Sequence, residues 1–115
     1  MPAEYYFKEG CFITELHNTP EDPSVSVARA RVEPGCTTRW HSLEGIDERY
    51  LIAEGCGLVE VGDHPPQMVQ AGDTVLIPAG CRQRITNTGA SDLLFLAVCT
   101  PRFVAAAYRD LEDQD

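Results

Sequence analysis

Residues Gly35–Gly55 read GCTTRWHSLEGIDERYLIAEG, and Gly72–Asn87 read GDTVLIPAGCRQRITN. Each is a run of mixed character bounded by a turn former. In a strand, successive side chains point to opposite faces, so residues two apart share one. On that parity Thr37, Arg39, His41 and Leu43 share a face, and so do Glu48, Tyr50 and Ile52. Gln83, Ile85 and Asn87 share a third. If His41, Glu48 and Gln83 all point inward, their neighbours two residues away line the same interior. That set mixes apolar walls with a few polar groups, as ligand sites usually do.

The flanking sequence repeats the pattern of short strands and turns. SVSVARARV, residues 24–32, is β-branched and closed by Pro34-Gly35. ERYLIAEGCG ends at Gly55 and Gly57, LVEVGD at Gly62-Asp63, and HPPQ turns the chain before QAGDTVLIPAG. QRITNTGASD reads as strand and turn, and LLFLAV as an apolar strand. Short strands with Gly, Pro and Asp punctuation every ten residues or so indicate a sandwich or barrel. TPEDPS, residues 19–24, reads as a loop.

Composition narrows the function classes. A length of 115 residues suits one domain. No apolar run approaches the roughly 20 residues that span a bilayer. The start, MPAEYYFKEG, lacks the basic and apolar regions of a signal peptide, so the expected location is cytoplasmic. A net charge of −9 repels phosphate backbones, which argues against nucleic-acid and anionic-membrane partners. The five cysteines, Cys11, Cys36, Cys56, Cys81 and Cys99, are odd in number and form no CxxC pair. Buried free thiols are the expectation.

The two quoted segments together resemble the paired motifs of the cupin family. The first motif is a glycine, five residues, His, one residue, His, three or four residues, Glu, six residues, Gly. Gly35, His41, Glu48 and Gly55 fall in place, and the second histidine position is Leu43. The second motif is a glycine, five residues, Pro, one residue, Gly, two residues, His, three residues, Asn. Gly72, Pro78, Gly80 and Asn87 match, and its histidine position is Gln83. The resemblance implies an all-β chain folded as a jelly-roll β-barrel, one domain over residues 1–115. VAAAYRDL near the C-terminus would be a short helix or a packed tail. A homodimer joined through exposed edge strands and a small-molecule ligand in the barrel are also implied.

Metal-binding cupins offer three histidines and a glutamate, so the resemblance implies His41, Glu48 and Gln83 as ligands of a divalent transition metal (Fe, Zn, Mn or Ni). Imidazole and carboxylate are strong donors, an amide oxygen is a weak one, and Leu43 supplies none. The same residues allow a metal-free interior in which His41 hydrogen-bonds Glu48 and Gln83 meets ligand or water. Cys81 could add a thiolate, and His17 or His64 an imidazole from outside the motifs. Tyr50 and Arg39 are the candidate catalytic helpers, Tyr50 as proton donor and Arg39 as an anion clamp or as the partner of Glu48 or Glu54. Trp40, on the face opposite His41, is expected against another sheet or a partner subunit. Arg102, Phe103 and Tyr108 are expected to seal the barrel end or, alternatively, to line the pocket. Three functions follow: a metal-dependent enzyme of oxygenase, isomerase, lyase or cyclase type on a small polar metabolite, a metal-free binding or sensing module, and a structural cupin whose fold serves oligomer contacts.

Overall fold

The structure is a computed structural model that describes residues 3–112. Eleven strands run in chain order: β1 Tyr5–Phe7, β2 Cys11–His17, β3 Ser26–Val32, β4 His41–Leu43, β5 Asp47–Glu54 and β6 Cys56–Val61, then β7 Gln67–Gln70, β8 Thr74–Ile77, β9 Gln83–Asn87, β10 Leu93–Thr100 and β11 Tyr108–Asp110. They form two antiparallel sheets, one ordered β1-β2-β3-β10-β5-β8 and the other β11-β4-β9-β6-β7. The sheets face each other as the two halves of a jelly-roll β-barrel. Among the described residues no helix is long and apolar enough to cross a membrane.

Alternation sets the interior. Along β5, Glu48, Tyr50 and Ile52 are buried while Leu51 is exposed; along β9, Gln83, Ile85 and Asn87 are buried. Tyr50 lies opposite Ala97 of β10, and Ile85 opposite Val59 of β6. The core fills the end of the barrel around Ile52, Val59, Ile85, Leu93 and Phe95, while small residues leave space at the other end.

Two glycines allow the sheets to approach. Gly55 takes a positive φ of 87°, and a Cβ there would stand 2.9 Å from the Asp92 carbonyl oxygen. At Gly57 a Cβ would meet the Thr86 carbonyl oxygen at 2.7 Å. The motif's Asn87 acts as a buried clamp: its Nδ2 donates to the Val32 and Ser91 carbonyls, both at 2.8 Å, and its Oδ1 accepts the Gly89 N–H at 2.8 Å.

The C-terminal stretch forms a single 3-10 turn over Ala105–Ala107 and then strand β11, which pairs with β4. It is therefore a packed tail rather than a short α-helix, with Ala107 and Tyr108 buried. The pairing sets Asp110 opposite His41 and Tyr108 opposite Leu43.

All five cysteines are free. Cys11 and Cys99 are buried as expected, but Cys36 is exposed and Cys56 and Cys81 are half-buried.

Candidate functional site

A cavity of about 70 Å³ lies between the sheets, with His41, Glu48 and Tyr50 on its wall together with Phe7, Phe95 and Phe103. That space holds a few waters or a ligand of few heavy atoms. His41 and Gln83 face each other directly on neighbouring strands, and both are nearly inaccessible, at 2% and 0% exposure. Glu48 and Tyr50 come from the opposite sheet, two positions apart on β5.

A polar chain crosses the barrel here. Tyr50 Oη donates to Gln83 Oε1, and Gln83 Nε2 donates to Glu48 Oε1 at 2.9 Å. An amide has one acceptor oxygen and one donor nitrogen, so this arrangement fixes which end faces which partner. The Glu48 carboxyl is pushed up to about 8, chiefly by burial and then by the Glu9 carboxylate, with the Gln83 N–H pulling the other way. Burial likewise raises the Tyr50 hydroxyl well above the ordinary phenol range, with the Glu48 charge adding to it. Cys99, on the same wall, is pushed up to about 12 by burial and stays a thiol.

His41 Nδ1 lies 2.6 Å from the Arg39 carbonyl oxygen, which can only accept, so Nδ1 carries the proton and Nε2 turns to the cavity. The Tyr108 ring stacks on the imidazole at 5.3 Å between centroids and 18° between planes. Among the described residues Tyr108 Oη is the one side-chain oxygen or nitrogen that is wholly sealed from solvent and without a hydrogen-bond partner.

Glu9 is the member of this site that the sequence reasoning missed. Its Oε1 lies 3.5 Å from His41 Nε2, and its Oε2 accepts from the Cys11 thiol at 3.4 Å. Two backbone bonds hold it there. Gly10 N–H closes the β1–β2 turn on the Phe7 carbonyl at 2.9 Å, and Arg39 N–H donates to the Glu9 carbonyl at 2.7 Å. Lys8-Glu9-Gly10 reads as a turn between strands, but nothing in its sequence says that it folds against the segment leading into His41.

The other candidates stand elsewhere. Arg39 points away from the cavity and pairs with Asp110, Nε to Oδ2 at 2.9 Å, rather than with Glu48 or Glu54. The inward parity drawn through Arg39 does not hold, because strand pairing starts only at His41, and Thr38 is the buried side chain before it. His17 pairs with Asp22 at 2.8 Å on the exposed side. His64 borders a separate open hollow with Pro65, Leu76 and Pro78. Cys81 packs against the apolar core. Trp40 is covered not by a second sheet but by the guanidinium groups of Arg82 and Arg84, at 4.5 and 4.4 Å from its ring centroid. Of the residues expected to seal the barrel end or line the pocket, Phe103 lines the cavity and Tyr108 backs His41.

As a donor set for a divalent metal these residues do not fit as they stand. Gln83 presents its N–H to Glu48 and its oxygen accepts from Tyr50, which leaves that weak donor a single lone pair, and Leu43 offers none. Among the described residues no three His, Cys, Asp or Glu side chains are placed to hold an ion.

Comparison with known proteins adds the following. The Cupin domain family model matches residues 28–99. An uncharacterised protein of Methanocaldococcus jannaschii is 34% identical over 101 residues, which is 86% of this chain and 80% of that protein. The oxalate-binding protein of Thermotoga maritima is 39% identical over 72 residues, covering 62% of this chain and 58% of that protein, so the match spans under two thirds of its length. Among solved structures, a predicted oxalate decarboxylase from Thermotoga maritima superposes with a TM-score of 0.76 at 27% identity, over 87% of this chain and 91% of that one.

Proposed function

The chain belongs to the cupin family, and on that premise we propose that it is a small-molecule-binding cupin whose cavity holds its ligand by hydrogen bonds and apolar contact, without a resident metal. The observation that carries this reading is the Tyr50–Gln83–Glu48 chain. It uses the amide that the family motif would present to a metal as an internal tie between the two sheets. Three polar groups then remain for a ligand: His41 Nε2, Glu9 and the second oxygen of Glu48. The aromatic walls offer the apolar part of a ligand its burial. The metal-dependent reading, with His41, Glu48 and Gln83 around Fe, Zn, Mn or Ni, would need the Gln83 oxygen to turn its remaining lone pair to the metal while Tyr50 and Glu48 hold the rest of the amide.

The test is a thermal-shift screen of untagged protein against small metabolites, repeated on Ala97→Leu. Ala97 lines the cavity, so a leucine there fills it. Compounds that raise the melting temperature of the parent protein and not of the folded Ala97→Leu variant support the reading. A broad set of small compounds without effect on the parent protein contradicts it.

A further inference from the structure

The chemistry around the cavity is one-sided. Three carboxyl side chains, Glu9, Glu15 and Glu48, line it, and no lysine or arginine does. His41, 2% exposed, turns Nε2 inward with no hydrogen bond among the described residues; its nearest polar neighbour is another acceptor, Glu9 Oε1, at 3.5 Å. Glu48, 8% exposed, has Oε1 held by Gln83, and its Oε2 has no partner among the described residues. The His41 imidazole and two carboxyl groups thus line one cavity with no lysine or arginine among them. An anion placed there meets like charge in a poorly hydrated space, which is costly. A neutral alcohol brings a single donor. Apolar faces of Phe7, Phe95 and Phe103 complete the wall, and aromatic faces attract cations.

We propose that the cavity selects a small primary ammonium, R–NH3+, whose three N–H donors are taken by His41 Nε2, Glu9 Oε1 and Glu48 Oε2 while its alkyl group lies against the phenylalanine rings. The inference rests on the metal-free reading above and names the ligand class for that same cavity. It separates this chain from the oxalate-binding protein of Thermotoga maritima, because a dicarboxylate would need a cation that the wall does not supply.

The experiment compares three probes of similar size, propylammonium, 1-propanol and propionate, by chemical-shift titration of the 13C-methyl-labelled protein at fixed ionic strength and about pH 9, where the Glu48 carboxyl is ionised and an alkylammonium is still charged. Propylammonium is expected to bind at least roughly tenfold tighter than either of the others. Glu9→Gln and Glu48→Gln, which keep shape and remove charge, are each expected to weaken it by about tenfold or more and to leave 1-propanol unchanged. Equal or tighter binding of propionate or 1-propanol overturns the ammonium assignment. If that binding is lost in Ala97→Leu, the cavity reading itself survives. Absence of binding by all three probes also overturns the assignment, whereas saturation of the same residues by one equivalent of zinc or manganese overturns both readings.

Discussion

The Glu48 carboxyl, pushed up to about 8 by burial and by Glu9, links this residue to pH. Its native value lies above the 4.5 of an ordinary carboxyl, so between these limits the native state binds more protons than the unfolded chain. Stability from this group is therefore highest below about pH 4.5 and falls as pH rises towards 8, by an amount on the order of a few kcal/mol. The groups facing it are Glu9, His41, Tyr50, Gln83 and Cys99. Urea unfolding across pH 5–8 should show Glu48→Gln gaining on the parent protein as pH rises; a constant difference would contradict the assignment. Two tyrosines make a second, paired prediction. Tyr50→Phe strands the buried Gln83 oxygen and should cost about 1–3 kcal/mol, whereas Tyr108→Phe removes a hydroxyl without a partner and should change stability by under about 1 kcal/mol, in either direction. At this scale the sequence was a partial guide. His41, Glu48 and Gln83 could be paired by motif spacing, and the structure brings them together. Glu9 and the outward Arg39 could not be read, because both depend on a turn docking against residues 38–40, which lie outside any strand, so strand parity carries no information there.

The elements show where local preference yields to pairing. Three successive alanines at 105–107 favour helix, yet they form only one 3-10 turn, because β4 lacks a neighbour on that side and β11 supplies one. That strand also positions the Tyr108 ring over His41, so the C-terminal segment helps to orient the site. The turn-punctuated strands from β5 to β10 were legible because glycine and proline mark each end. Gly57 lay outside the motif positions, and its role comes from the approach of β9. Gly57→Ala should lose about 1–3 kcal/mol in urea unfolding, since its methyl meets the Thr86 carbonyl oxygen at 2.7 Å and Leu93 at 3.0 Å. A neutral result would mean that β6 and β9 can separate without cost.

For the whole molecule, the barrel divides its labour between its ends. One end is packed with aliphatic and aromatic side chains, and the other holds a small acidic cavity tied across by Tyr50, Gln83 and Glu48. The edge strand β1 leaves Tyr6 63% exposed and its outer backbone unpaired within the sheet. Pairing of two copies along that edge predicts a solution mass of twice the chain by light scattering; a single-chain mass at tens of micromolar would contradict it. Barrel and cavity position followed from the two motifs, but the cavity's charge balance depends on Glu9 and Glu15 from β1, β2 and the turn between them, where spacing rules are silent. The most direct test of the metal-free account is elemental analysis of untagged protein, purified without chelators, incubated with iron, zinc, manganese and nickel ions and then desalted. The account predicts metal far below one equivalent per chain, unchanged in His41→Ala. Close to one equivalent, lost in that variant, would contradict it.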